Sequence, residues 1–329
     1  MNLTETKNRD AAFDLLRIMA ITFVFLHHSL LRMHWVNYSD VVVAEKLILP
    51  GMALNSFFCV GVNVFILSSG YFGINCRPSK LLKILFLCFV SCLLYLPFEG
   101  DHLINDILHF RTGNTFMPCY ITLFLISPLI NKGINSLDRT DYGKVVVNIL
   151  LADVVIGFFL KYYCIDANGY NIFNFITMYI IGGYLRRHAT IPAKKAALIF
   201  AISVLLTIIV AYFIEGGFYA FSYNFPTVIL SACALVLLFK NIHIKNNATI
   251  SQMAAASLPL FILNDLTLAY LFPVNPINTT LQNLLHIAAG LTIIWVIAVI
   301  IANLTSLLFS RSPKKWLNKL DEWWNFSAK

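Results

Sequence analysis

Asp14, Arg17 and His28 lie in the first apolar stretch of the chain and are the side chains best suited to chemistry. Between Phe13 and Leu31 the sequence is almost continuously apolar, yet it holds Asp14, Arg17, His27 and His28. Each helical residue turns about 100°, so the eleven steps from Arg17 to His28 bring those side chains within about 20° of each other. Asp14 falls about 40° to the other side, completing one polar stripe. Ionisable groups at membrane depth are costly and normally face a cavity, a partner or a reaction path. An imidazole titrates near neutrality and suits a general base for a hydroxyl. A guanidinium stays charged and presents paired N–H groups, which suits a phosphate or pyrophosphate. The bland alternative is a snorkelling Arg17 and an interfacial His28. It weakens once both share a stripe with Asp14, because exposing all three to lipid would cost several kcal/mol. His27, about 100° round from His28, is expected to face elsewhere and is the second choice.

The elements that must position this stripe follow from composition. Of 329 residues, 59% are hydrophobic and 12% charged, about half the charge of a soluble domain, and the mean hydropathy is +0.75. The expected fold is all-α, a polytopic transmembrane bundle treated as one unit over residues 1–329. The first apolar run is too long and too charged for a cleaved signal peptide and reads as a retained span. Apolar windows fall at 12–33, 52–74, 81–98, 116–134, 145–163, 171–186, 196–214, 218–239, 250–273 and 281–309, which makes ten spans. With the N-terminus inside, nineteen of the 24 Lys and Arg fall on inner segments and four on outer ones, while Arg17 lies within the membrane. This is the positive-inside pattern for an even number of spans, with both termini cytoplasmic. The net charge of +8 therefore reflects topology, and no nucleic-acid partner is expected. The seven cysteines are scattered without a CxxC or a His/Cys cluster, so no metal site is expected. Residues 310–329, with Trp316, Trp323 and Trp324 among charged residues, read as an interfacial amphipathic tail.

Several motifs together resemble one family. Asp14-Leu15-Leu16-Arg17, followed by ten residues and then His28, is similar to the first-helix signature of the acyltransferase-3 membrane acyltransferases. Gly61-Val62-Asn63-Val64-Phe65-Ile66-Leu67-Ser68-Ser69-Gly70-Tyr71 resembles that family's second span, with Asn63 where an aspartate is usual. Tyr120 through Ser127-Pro128-Leu129-Ile130-Asn131 resembles the fourth span and its exit. Met178-Tyr179-Ile180-Ile181-Gly182-Gly183-Tyr184-Leu185-Arg186-Arg187 resembles the sixth. The resemblance runs from about residue 9 to 273 and implies ten spans in a bacterial cytoplasmic membrane. It also implies transfer of an acyl group, most simply acetyl from acetyl-CoA or another acyl-CoA, to a sugar hydroxyl of a capsule, O-antigen or related surface glycan.

On this reading the partners are acyl-CoA, a sugar or polysaccharide acceptor and the lipid bilayer. His28, Arg17 and Asp14 form the catalytic stripe, with Asp14 orienting Arg17 or balancing its charge. Arg77, Lys80 and Lys83 repeat every three residues on the cytoplasmic rim. They are read either as anchors to anionic lipid or, with Arg17, as cations for the donor's phosphates. Lys80 and Lys83 stand closest to the family's pair of arginines. Ser69-Gly70 reads as a close helix approach rather than a nucleophile. Glu99 to Arg111, with Asp101, His102, Asp106 and His109, reads as a solvated outer loop or a sugar contact. Asn264 and Asp265 are expected to line the same cavity as the stripe, Asp265 paired with a basic residue. A transporter or flippase for lipid-linked sugars is the rival class, although no internal repeat of the kind transporters carry is seen. A polysaccharide polymerase would need a larger outer loop.

Overall fold

The computed structural model describes residues 10–34, 45–99, 116–161, 167–213, 218–311 and 314–324. The main helices are α1 (Ala11–Arg32), α2 (Glu45–Phe58), α3 (Gly61–Phe72), α4 (Pro78–Leu93), α5 (Phe116–Asn135) and α6 (Arg139–Leu151, extended by a π-helical stretch over Ala152–Phe159). They continue as α7 (Ile172–His188), α8 (Ala193–Phe213), α9 (Pro226–Lys240), α10 (Ala248–Ala255), α11 (Ser257–Leu266, extended by π-helical Thr267–Leu271), α12 (Thr280–Arg311) and α13 (Lys314–Trp323). Among the described residues there is no strand, and the fold is the expected all-α polytopic one. Among the described residues seven helices are long and apolar enough to cross a membrane, and eight if the bent pair α10–α11 counts as one span. The remaining windows of the expected ten are filled by α4, of 16 residues, and α7, of 17, both shorter than that group. The outer-loop segment 100–115, including Asp101, His102, Asp106, His109 and Arg111, lies outside the described residues.

Helix α1 begins where the Asp10 carboxylate accepts from the amides of Ala12 and Phe13, at 3.0 and 3.4 Å, a side-chain cap that satisfies two otherwise orphaned donors. Its 22 residues span about 33 Å at 1.5 Å per residue, enough for the hydrocarbon layer. α1 packs against α2, α3, α9, α10, α11 and α12, and Ala12, Leu16, Ala20 and Phe25 on it are fully buried. It is therefore an interior helix, surrounded by protein for most of its circumference.

The tightest crossing joins α3 and α7. A Cβ at Gly70 would stand 2.0 Å from the Tyr179 carbonyl oxygen, and one at Gly182 would stand 2.2 Å from that of Leu67. Only glycine permits backbones to meet at that distance, the small-residue packing that lipid-embedded helices use. The close approach expected at Ser69-Gly70 is present. Ser69 Oγ donates to the Phe65 carbonyl one turn back, at 3.1 Å.

Helices α10 and α11 meet at a bend of 48°. Pro259 lies in the first turn of α11 and lacks the N–H that a continuous helix would direct to Ala255, so the break at Ala256 follows from the sequence. At the basic rim Lys240 Nζ donates to the carbonyls of Leu185, Arg186 and Ala189, at 2.8–2.9 Å, closing the end of α7. The tail helix α13 caps α4, because Asp321 accepts from the amide and the hydroxyl of Ser79 at 3.0 and 2.6 Å.

Gly70→Ala and Gly182→Ala should each destabilise the protein by about 2 kcal/mol or more through overpacking of the crossing. Gly133→Ala, where a Cβ meets nothing within 4 Å, should not. Thermal unfolding in detergent compares the three; equal melting would remove the crossing from the account of stability.

Candidate active site

Because α1 is one unbroken helix, the polar stripe exists as expected, but its two ends face different neighbours. At the inner end Asp14 is fully buried. Its Oδ1 lies 3.2 Å from an Arg17 guanidinium nitrogen, and its Oδ2 accepts from Ser251 Oγ of α10 at 3.1 Å. Arg17 also lies over the Phe72 ring, 5.3 Å from its centroid. Asp14 and Arg17 therefore form an ion pair within α1, and a carboxylate and a guanidinium this close lower each other's cost of burial.

Arg17 opens onto a cavity of about 320 Å³ whose wall also holds Lys80, Lys83, Ser69, Tyr120 and the segment from Phe72 to Asn75. Lys80 and Lys83 stand one turn apart on α4 and so share a face. Residues from α1, α3, α4 and α5 thus converge on one pocket with three cations, suited to an anionic ligand. Arg77 opens instead onto a separate recess of about 270 Å³ that it shares with Asn318, Asp321 and Glu322 of the tail helix. Of the four cations expected at the donor phosphates, three are brought together and Arg77 is set apart. Cys76 lies beside it, and burial pushes its thiol up, which keeps it protonated near neutrality and unsuited to carry an acyl group.

At the far end His28, about 16 Å along the helix, packs against α11. Its Nδ1 contacts the Asn264 amide nitrogen, and Asn264 Oδ1 is buried without a hydrogen-bond partner among the described residues. The neighbouring Asp265 pairs with Arg32 at 3.3 Å, so the basic partner expected for Asp265 is Arg32. His28 is not on the wall of the cavity that Arg17 lines, and the two ends of the stripe do not share that void. His27 points elsewhere, as its angle implies: its Nδ1 donates to Asn55 Oδ1 at 2.6 Å, and it is buried.

Two structural residues near the site carry no signal that the sequence reading used. Tyr95 is fully buried. Its hydroxyl donates to the Ile262 carbonyl at 2.9 Å and accepts from the Leu266 amide at 3.0 Å. Those are the two groups that an uninterrupted turn would pair with each other, so Tyr95 is wedged into the turn that carries Asn264 and Asp265. Tyr179, on α7, closes a triangle. Its hydroxyl accepts from the Ile74 amide and donates to Asn131 Oδ1, both at 2.7 Å, while Asn131 Nδ2 donates to the Ile74 carbonyl at 3.0 Å. This triangle holds the Phe72–Asn75 segment that walls the cavity. Asn63, where the family usually has an acid, is fully buried. It donates to the Tyr223 carbonyl at 2.7 Å and accepts from Asn174 at 3.2 Å, which makes it a tie between α3 and α7. No pattern set Asp153 apart; it is fully buried in the π-helical part of α6.

A helical body with several apolar membrane-length helices, a cationic cavity at one end of an internal helix and a histidine toward the other defines a multi-pass membrane protein. The chain belongs to the acyltransferase-3 family: the model of the family's acyltransferase domain matches residues 10–308. It is therefore a membrane acyltransferase. No curated protein and no solved structure matches it.

Tyr95→Phe removes one hydroxyl and leaves a buried amide and carbonyl short of a partner, which should cost about 2 kcal/mol. Tyr270→Phe, on a half-exposed side chain, should leave the unfolding midpoint unchanged. Thermal melts of both variants test the role given to the wedge.

Proposed function

We propose that this membrane acyltransferase moves an acyl group, most simply acetyl, from cytoplasmic acyl-CoA to a sugar hydroxyl of a bacterial surface glycan such as a capsule or O-antigen. The observation that carries the reading is the convergence of Arg17, Lys80 and Lys83 on one cavity at the basic end of the helix that bears His28. Three cations in a cavity reached from the basic rim suit the phosphates of a coenzyme A thioester. Arg77, in the neighbouring recess, adds to the basic rim that the donor crosses. Asp14 keeps Arg17 in place.

From that cavity the pantetheine arm runs along α1 toward His28, parting the side chains packed between them. There the acceptor hydroxyl oxygen attacks the thioester carbonyl carbon while His28 takes the hydroxyl proton. The carbon–sulfur bond breaks, and the coenzyme thiolate leaves with the proton that His28 returns. Asn264 serves this role when its carbonyl oxygen faces the ring: it accepts from Nδ1–H, and the lone pair of Nε2 is left as the base. A buried Oδ1 without a partner among the described residues supports that orientation. Transfer by way of an acyl-His28 intermediate uses the same groups.

Purified full-length protein given radiolabelled acetyl-CoA and a glycan acceptor should form labelled glycan. His28→Ala should lower kcat by a factor of about 100 or more, whereas Lys83→Ala should mainly raise KM for the donor. A folded His28→Ala protein that acylates at the parent rate would exclude His28 as the base. A parent protein that moves acceptor across a bilayer without consuming acetyl-CoA would favour a carrier instead.

A further inference from the structure

The largest cavity among the described pockets is not the one at Arg17. It has a volume of about 1090 Å³ and also adjoins the Phe72–Asn75 segment, between the ends of α3, α5 and α7. Among the described residues its charged wall residues are Lys132, Arg186 and Arg187, and no acidic side chain lines it. Phe72, Gly73, Ile74 and Asn75 line both cavities, so a single elongated ligand can lie across that segment with one end in each.

The two arginines are held in place by the protein. Arg186 donates to the carbonyls of Tyr71 and Phe72 at 3.2 and 3.3 Å and stands over the Tyr71 ring. Arg187 donates to the Ile134 carbonyl at 3.1 Å and to Asn135 Oδ1, and stands over the Tyr142 ring. A rim cation that merely anchors the protein to anionic lipid reaches outward on a free side chain. Guanidiniums bonded to main-chain carbonyls at a cavity wall are pre-organised, and each has further N–H donors for a ligand.

Resting on the donor reading above, we infer that the cavity of Lys132, Arg186 and Arg187 binds the nucleotide end of the acyl-CoA, with its 3′-phosphate among these cations. The smaller Arg17–Lys80–Lys83 cavity then takes the pyrophosphate and the start of the pantetheine arm. The sizes agree with this division, because the bulky adenosine needs the larger space and the slender arm only the smaller. Tyr71 and Phe72 on the wall of the larger cavity offer the base an aromatic surface.

The test is equilibrium binding of CoA and of dephospho-CoA, which lacks the 3′-phosphate, to the full chain in phosphatidylcholine nanodiscs. The variants are Lys132→Ala, Lys132→Glu and, for comparison, Lys80→Ala. Lys132 is exposed, so its substitution leaves the fold intact. We expect Lys132→Ala to weaken CoA about tenfold, the scale of one charge-assisted hydrogen bond, and to weaken dephospho-CoA much less. Lys132→Glu should weaken CoA further, and Lys80→Ala should weaken both ligands alike. Lys132 variants that bind both ligands as tightly as a binding-competent parent would overturn this inference and leave the donor reading standing. A parent that binds neither ligand would sink the donor reading itself. If phosphatidylglycerol added to the nanodiscs displaced CoA from the parent but not from Lys132→Glu, the cavity would belong to lipid headgroups and the nucleotide assignment would fall.

Discussion

A polar group inside hydrocarbon is stable only when another part of the protein completes its hydrogen bonds or offsets its charge. The interior of this molecule is arranged around that requirement. Asp14 is shared between Arg17 and Ser251, His27 is bonded to Asn55, and Asn63 ties Asn174 to the Tyr223 carbonyl. The Asp14–Ser251 and Asn63–Asn174 links join helices far apart in sequence, and His27–Asn55 ties α1 to the next helix. The polar groups that make α1 unusual as a membrane helix are thus the same groups that fix its neighbours around it.

The site depends on a second feature, the contact of α3 and α7 through Gly70 and Gly182. Because the two backbones touch there, Tyr179 reaches past the end of α3 to Ile74, and the triangle with Asn131 holds the Phe72–Asn75 segment. That segment is a wall of two cavities, so packing in the membrane body sets the shape of the cationic rim. Farther along α1 a different device serves His28. The Pro259 break and the Tyr95 wedge interrupt α10–α11 and turn Asn264 and Asp265 toward α1. Helix interruptions of this kind are tolerated in lipid only where another side chain takes up the released backbone groups, which is what the Tyr95 hydroxyl does.

Much of this organisation is legible without coordinates. Among the described residues the ten apolar windows all fall on helices, 52–74 on α2 and α3 together and 250–273 on the bent pair α10–α11. Seven or eight of these are long and apolar enough to cross a membrane, because continuous hydrophobicity has few other solutions in lipid. The angular relation of Arg17 and His28 holds because α1 is unbroken, and the relation of Lys80 to Lys83 holds because both lie on α4. The Ser69-Gly70 approach and the pairing of Asp265 with a basic residue also follow from general costs in lipid. Local spacing does not show that Arg77 leaves the others. A three-residue repeat places Arg77, Lys80 and Lys83 on one face only if all three are helical, and α4 begins at Pro78, one residue too late for Arg77. Tyr95 gave no signal either, since its partners lie more than 160 residues away.

The sequence by itself determined the class, the elements and the shared stripe of α1, since each depends on the hydrophobicity and periodicity of a single segment. Tertiary structure alone decided which cations meet, that the Arg17 cavity stops before His28, and that a larger basic cavity also adjoins the Phe72–Asn75 segment. Those facts depend on distances between helices. Such distances are set by where small residues let backbones touch and where long-range hydrogen bonds close, and neither is written in the spacing along one helix.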